Sequence, residues 1–206
     1  ARLYQKGLGV PQDNEEAFKW YLKASQDSED IDNRFSKNMR DYFVDSLQEA
    51  TPEIGDFFLQ SAQRGDVQAA FNLGLAYEKG IGVDQNFNQA FKWYKQAAEA
   101  GHRQAQFNLA TFYHRGIGVV ENLNKAVDWY LKAARQGHKF ASHNMALLHM
   151  RGEGIEKDLI RSYAWFTIAV DLGSEKTQTY FQLLLSQMTE EQIRQGEQKA
   201  DDLRAR

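Results

Sequence analysis

Two periods run through the hydrophobic positions of this chain at once. The short one is helical. Ala70, Leu73, Gly74 and Tyr77 share one face of a helix, and Ala90, Trp93, Tyr94, Ala97 and Ala98 form a second such stripe. The long one is a repeat of 36 residues: Ala69–Gly101 returns as Ala105–Gly137 and again, more altered, as Ala141–Gly173. Each copy reads as a first helix (Ala69–Lys79, Ala105–Arg115, Ala141–Arg151), a glycine turn and a second helix. The turns are Gly80-Ile-Gly82, Gly116-Ile-Gly118 and Gly152-Glu-Gly154, and the second helices end at Gly101, Gly137 and Gly173. All four tryptophans, Trp20, Trp93, Trp129 and Trp165, occupy one repeat position. A fixed period of this length is the mark of stacked supersecondary units that bury a continuous core. The expectation is about eleven helices in antiparallel pairs and no sheet.

Outside the regular copies the pattern weakens in a graded way. Residues 1–32 form a partial repeat that begins in mid-unit, with Tyr4 to Val10 matching Tyr77 to Val83. The chain is therefore read as a piece of something longer. Asp13 and Glu16 have the spacing of an N-cap and its N3 partner, and Ala17, Trp20, Tyr21 and Ala24 make the stripe of the second helix. Residues 33–68 form a degenerate repeat, where Phe35, Met39, Tyr42, Phe43 and Leu47 keep helical spacing. In it Phe57-Phe58 precedes Trp93-Tyr94 by one period, and Gly65 likewise precedes Gly101. Residues 69–104, 105–140 and 141–176 are regular repeats. Residues 177–206 are a C-terminal cap whose last helix, after Thr189, touches the core with Ile193, Ala200 and Leu203 only. A solenoid exposes core at its ends, so a polar terminal helix is expected there. Asn86, Asn122 and Asp158 stand as N-caps of the second helices.

Composition narrows the chemistry. The 206 residues are 42% hydrophobic and 13% aromatic, enough for a continuous core. A net charge of −3 argues against nucleic acid as a partner. No apolar run is long enough for a membrane span. The absence of cysteine removes disulfides, thiol catalysis and thiolate zinc sites.

The motif spelled by Ala69, Leu73, Gly74, Tyr77, Gly80, Gly82, Val83, Ala90, Trp93, Tyr94, Ala97, Ala98 and Gly101 resembles the Sel-1-like repeat, a relative of the tetratricopeptide repeat. Ala105, Leu109, Tyr113, Gly116, Gly118, Val119, Ala126, Trp129, Tyr130, Ala133, Ala134 and Gly137 carry it again, with Ala110 in place of a glycine. The third copy departs at Met145, His149, Ile155 and Phe166. The resemblance implies an all-α fold, a right-handed α/α superhelical solenoid in one repeat domain, and a role as adaptor for other proteins. It implies no cofactor. Many bacterial members are exported, and only that leans the compartment toward export or the periplasm. Cysteine-rich relatives have been associated with weak β-lactam binding or hydrolysis, so an enzyme or small-molecule binder of cell-wall or β-lactam chemistry is the alternative.

The residues weigh against that alternative. No Ser-x-x-Lys nucleophile motif occurs. The repeated glycines follow a helix rather than a strand, which suits a turn and not a dinucleotide cradle. His102 and His138 each follow a helix-ending glycine, and His143 and His149 lie on different helix faces, so no metal set is expected. The tryptophan column reads as core. The first helices carry the functional expectation, because the face opposite their core stripe lines a concave groove in the tetratricopeptide geometry that the chain resembles. Its columns are Phe71/Phe107/His143, Asn72/Asn108/Asn144, Leu75/Thr111/Leu147, Glu78/His114/Met150 and Lys79/Arg115/Arg151. Phe71 and Phe107 either pack on the adjacent unit or face a ligand. Asn72, Asn108, Asn144, Phe71, Phe107, Lys79, Arg115 and Arg151 are the expected contacts to a protein or peptide partner. Self-association through the truncated N-terminal end is the other partner expectation.

Overall fold

The computed structural model describes residues 52–80 and 82–205, and the elements among these are nine helices without a strand. The Asp13–Glu16 cap, Trp20, the stretch Phe35–Leu47 and the N-terminal end lie outside the described residues. The chain divides into two compact units, Ala1–Asn86 and Phe87–Arg206. In the first, α1 (Pro52–Gln63) packs on α2 (Val67–Lys79). Phe58 and Ala62 of α1 and Ala69, Ala70, Leu73 and Ala76 of α2 are buried. Phe58 thus holds the buried place that Tyr94 holds one repeat later, and Gly65 and Gly101 share nearly the same φ, 93° and 94°.

The second unit runs α3 (Phe87–Glu99), α4 (Arg103–Arg115), α5 (Leu123–Arg135), α6 (Lys139–Arg151), α7 (Leu159–Asp171), α8 (Thr177–Leu185) and α9 (Glu190–Arg204). Through α8 each helix packs against the next, and α9 folds back onto α7. Alanines and large aromatics alternate in the core: Ala105, Leu109, Tyr94, Tyr130, Ala133, Met145, Leu148 and Phe166 are all buried. This is knob-and-hole filling with small residues where helices approach closely.

The first helices α2, α4 and α6 begin two residues earlier than the hydrophobic pattern predicts. Their caps are Asp66, His102 and His138. Asp66 Oδ1 accepts from Ala69 N at 2.9 Å, and the Nδ1 atoms of His102 and His138 accept from Ala105 N and Ala141 N at 3.1 and 3.2 Å. Histidine is a rare cap, and a neutral ring nitrogen can do what a short oxygen does: satisfy one orphan N–H of the first turn. Asn122 and Asp158 cap α5 and α7 as expected, accepting from Lys125 N and Arg161 N at 2.9 Å each.

The paired glycines have two different jobs. Gly116 ends α4 in the left-handed region (φ 65°) and sends its N–H to Phe112 O. Gly118, at φ 62°, lies flush on the start of α3, where a Cβ would come within 2.5 Å of Phe87 O. Gly154 repeats this one unit on, against Leu123 at 2.6 Å. The turn is therefore filled by the neighbouring helix start and leaves no cradle for a phosphate.

At the C-terminal end Thr189 and Gln192 form a reciprocal capping box at the start of α9. The contact with α7 centres on Gly196, whose missing side chain makes room for the Tyr163 ring, 2.5 Å from where a Cβ would stand. Ala200 is buried beside it, whereas Ile193 and Leu203 are only half-buried. An Arg204–Asp171 ion pair joins the far ends of the two helices.

Candidate functional site

In the second unit the first helices are covered on more than one side, so beyond the first turn, where Arg103, Gln104, Lys139 and Phe140 are accessible, only a narrow stripe of each stays open. On α4 it comprises Phe107, Asn108, Thr111, His114 and Arg115, between buried Leu109, Ala110, Phe112 and Tyr113. On α6 the corresponding stripe is His143, Asn144, Leu147 and Arg151.

Phe107 faces the next repeat. Its ring stacks on His138 (centroids 4.3 Å apart, 15° between planes) and lies tilted against Tyr130 at 5.8 Å and Phe140 at 6.3 Å. One unit on, His143 does the same, with Nδ1 at 3.0 Å from Thr177 Oγ1 and its ring edge-on to Tyr180 at 5.5 Å. Burial holds the His143 imidazole below its ordinary pKa, and the cations Arg151 and Lys176 push the same way.

The two asparagines of this unit have different neighbours. Ala141 N–H donates to His138 Nδ1, which leaves the ring proton on Nε2 to donate to Gln104 Oε1 at 3.0 Å. Gln104 Nε2 in turn donates to Asn108 Oδ1 at 3.2 Å. This relay occupies the Asn108 carbonyl and leaves its amide N–H groups without a partner among the described residues. The neighbour of Asn144 is Tyr130. Thr111 spends its proton on Phe107 O at 3.0 Å, so the Tyr130 hydroxyl donates to Thr111 Oγ1 at 3.2 Å. The Asn144 side chain lies close enough to pull the Tyr130 pKa down, and His114 Nδ1 is 3.4 Å from the same hydroxyl. Burial raises the Tyr130 pKa, against the smaller opposing pulls of Thr111, Asn144 and Arg115, so this hydroxyl stays protonated at neutral pH.

The remaining expected contacts are placed as follows. Arg115 and Arg151 are exposed at the last turns of α4 and α6, and Arg151 has Glu153 at 3.8 Å. In the first unit Lys79 is exposed and paired with Glu78 at 2.7 Å, and Phe71 is half-buried. Asn72 is 4% exposed, with Gln68 Nε2 donating to its Oδ1 at 3.1 Å. A two-faced helical wheel puts Asn72 opposite the core; a helix packed on several sides buries it all the same. Tyr130, Gln104 and His138 do not stand out in the sequence as site residues. For His138 the signal is indirect: Asp66, His102 and His138 fill one repeat position, each just after a helix-ending glycine, and that is a cap position.

His149 stands where Tyr77 and Tyr113 stand in the preceding repeats, and it is buried. Its Nδ1 is buried without a partner among the described residues. Burial depresses its pKa and Arg161 adds to that, while the Glu156 carbonyl and Asp158 oppose. A histidine depressed in the folded state is neutral there, while the unfolded chain takes up a proton. Stability is then fully present above the unfolded value near 6.5 and is lost as pH falls from there toward the folded value. The melting temperature should fall between about pH 7.5 and about pH 5.5, and H149Y should fall less. Parallel acid limbs for the two proteins would show that His149 is not responsible.

The Sel1 repeat profile matches residues 1–28, 67–102, 103–138 and 140–174, well over half of the chain. Among curated proteins, a rat (Rattus norvegicus) protein named DAP3-binding cell death enhancer 1 is 46% identical over 39 residues, which are 19% of this chain and 8% of that protein. Among solved structures, a Sel1 repeat protein from Oxalobacter formigenes is 31% identical with a TM-score of 0.58, over 87% of this chain and 57% of that one. The protective antigen c5321 of uropathogenic Escherichia coli, which displays the SLR fold, is 24% identical with a TM-score of 0.69. That match covers 98% of this chain and 43% of the antigen. The chain thus spans about half the length of these two structures and a small part of the rat protein. All-helical pairs, glycine turns that nest on the preceding unit, and a profile matched four times in register lead to one assignment: the chain belongs to the Sel1 repeat family.

Proposed function

We propose that this chain is a non-catalytic scaffold that holds an extended segment of a partner protein against its first helices. Sel1 repeats typically serve as protein–protein interaction scaffolds, and the rat relative is named for binding another protein. The observation that carries the reading is a pair of half-buried carboxamides, Asn108 and Asn144, at equivalent positions of successive first helices. A carboxamide offers both N–H groups and a carbonyl oxygen, the complement of the C=O and N–H of a peptide backbone. Such contacts do not depend on the side chains of the bound segment. Asparagine is a mediocre helix former, and the i,i+4 bonds from Gln68 to Asn72 and from Gln104 to Asn108 return only about 0.2–0.5 kcal/mol each.

The test is selection of binders from a displayed library of random peptides, followed by affinity measurement with the N108A/N144A variant. Losing two hydrogen bonds of about 1 kcal/mol each should weaken binding roughly thirty-fold, with the helical spectrum unchanged. Unaltered binding by a folded variant would assign both asparagines to the scaffold.

A further inference from the structure

The helices that carry the accessible stripes are free of carboxylates. α4, α6 and α8 together hold 35 residues, with no Asp or Glu and with Arg103, Arg115, Lys139 and Arg151. At 28 acidic residues in 206, a stretch of that size would carry about five. The acids of this unit lie elsewhere: in the turns (Glu121, Glu153, Glu156, Asp158), on the second helices (Glu99, Asp128, Asp171), just before α8 (Glu175, which offsets Lys176) and on α9 (Glu190, Glu191, Glu197, Asp201, Asp202). A chain with a net charge of −3 thus presents one cationic set of helices.

Two of the four cations are committed. Arg103 donates to Gln136 O at 3.1 Å and Lys139 reaches Gly173 O at 3.4 Å. Arg115 and Arg151 are differently placed. Each lies seven residues beyond an asparagine of the stripe, two turns along the same helix face. Arg115 meets no carboxylate among the described residues, and Arg151 has only the loose approach of Glu153. Lys176, before α8, adds a further positive charge close enough to act on His143.

The stripe also changes character along the stack. Asn108–Thr111 on α4 becomes Asn144–Leu147 on α6, and one period later Tyr180–Leu183 on α8. Tyr180 is 38% and Leu183 53% exposed, one turn apart on the same face. Beside the Tyr180–His143 contact, Leu183 and the open face of Tyr180 leave an apolar spot at one end of a polar, cationic surface.

We infer that the bound segment is an acidic peptide with one aromatic or aliphatic anchor: its carboxylates meet Arg115 and Arg151, and the anchor seats on Tyr180 and Leu183. This rests on the peptide-scaffold reading and narrows it to one class of partner. The charges set selectivity and encounter rate, and the anchor supplies most of the buried area. A single-stranded nucleic acid would also meet the arginines and stack its bases on Tyr180, so its binding is an outcome of the test.

The probes are fluorescent short peptides in three matched sets: Asp/Glu-rich with a Phe or Leu near either end, the same with Asn/Gln, and the same with Lys/Arg. Binding to the full chain is read by anisotropy, with a single-stranded oligonucleotide as a fourth probe. The acidic set should bind at least about tenfold more tightly than the neutral set, and the margin should shrink between about 0.05 and about 0.5 M salt. R115E/R151E should lose that preference and gain affinity for the basic set, which also shows that the variant is folded. L183S should weaken anchored peptides and leave anchor-free acidic ones unchanged.

Equal binding of neutral or basic peptides, still dependent on Asn108 and Asn144, overturns the acidic class and keeps the scaffold reading. Oligonucleotide binding stronger than that of the acidic set also overturns it. If no set binds, and library-selected peptides ignore the asparagine substitutions, both readings fall.

Discussion

Replacing Gly118 with alanine is expected to destabilise the second unit by about 2–5 kcal/mol, read as a lower midpoint in urea. Two effects add. The backbone sits at φ 62°, where an L-residue costs about 1–2 kcal/mol. The new Cβ would also stand 2.5 Å from Phe87 O, a backbone atom at the start of a packed helix, so the repeats must part, and overpacking of this kind costs about 1–3 kcal/mol. Gly173 is the control: its φ is 77°, and nothing lies within 4 Å of where its Cβ would be. G173A should show the backbone cost alone. Equal losses at the two positions would mean that the approach to Phe87 carries no weight.

Gly118 also shows where reading the sequence stops. Recurrence of a glycine announces a special backbone, and the positive φ values follow from that. Which glycine in each pair meets a neighbouring unit depends on how two units 36 residues apart are stacked, and no local pattern holds that information. The same limit applies at the helix starts. Asn122 and Asp158 are recognisable as caps because they are the usual residue types, while His102 and His138 do the same work unannounced. It applies again to the asparagine column. The shared position of Asn108 and Asn144 is legible, but the Gln104–His138 relay behind Asn108 and the Tyr130 hydroxyl beside Asn144 cross between repeats. Periodicity reveals what is repeated, and the differences between the copies arise from contacts that span them.

The tryptophan column carries the other large expected effect. One repeat position suggests one environment, but the structure separates its members. Trp93 and Trp165 are 5% and 4% exposed, whereas Trp129 is half-buried and has Lys132 Nζ 3.9 Å above its ring. Truncating a buried tryptophan removes its transfer free energy and leaves a cavity, so W93A and W165A should each lose about 3–5 kcal/mol. W129A removes a ring that water and a lysine already reach, and should lose about 1–2 kcal/mol, from the smaller area and an exposed cation–π contact. Trp93 adds a finer distinction. Its indole N–H is buried without a partner among the described residues, a group that costs about 1–3 kcal/mol to leave unsatisfied. W93F deletes that group along with part of the ring, so it should be milder than W165F. The check is urea denaturation of the five variants, followed by far-UV circular dichroism. A W129A loss as large as that of W165A would show that the column is energetically uniform and that half-burial of Trp129 does not weaken its part in the core.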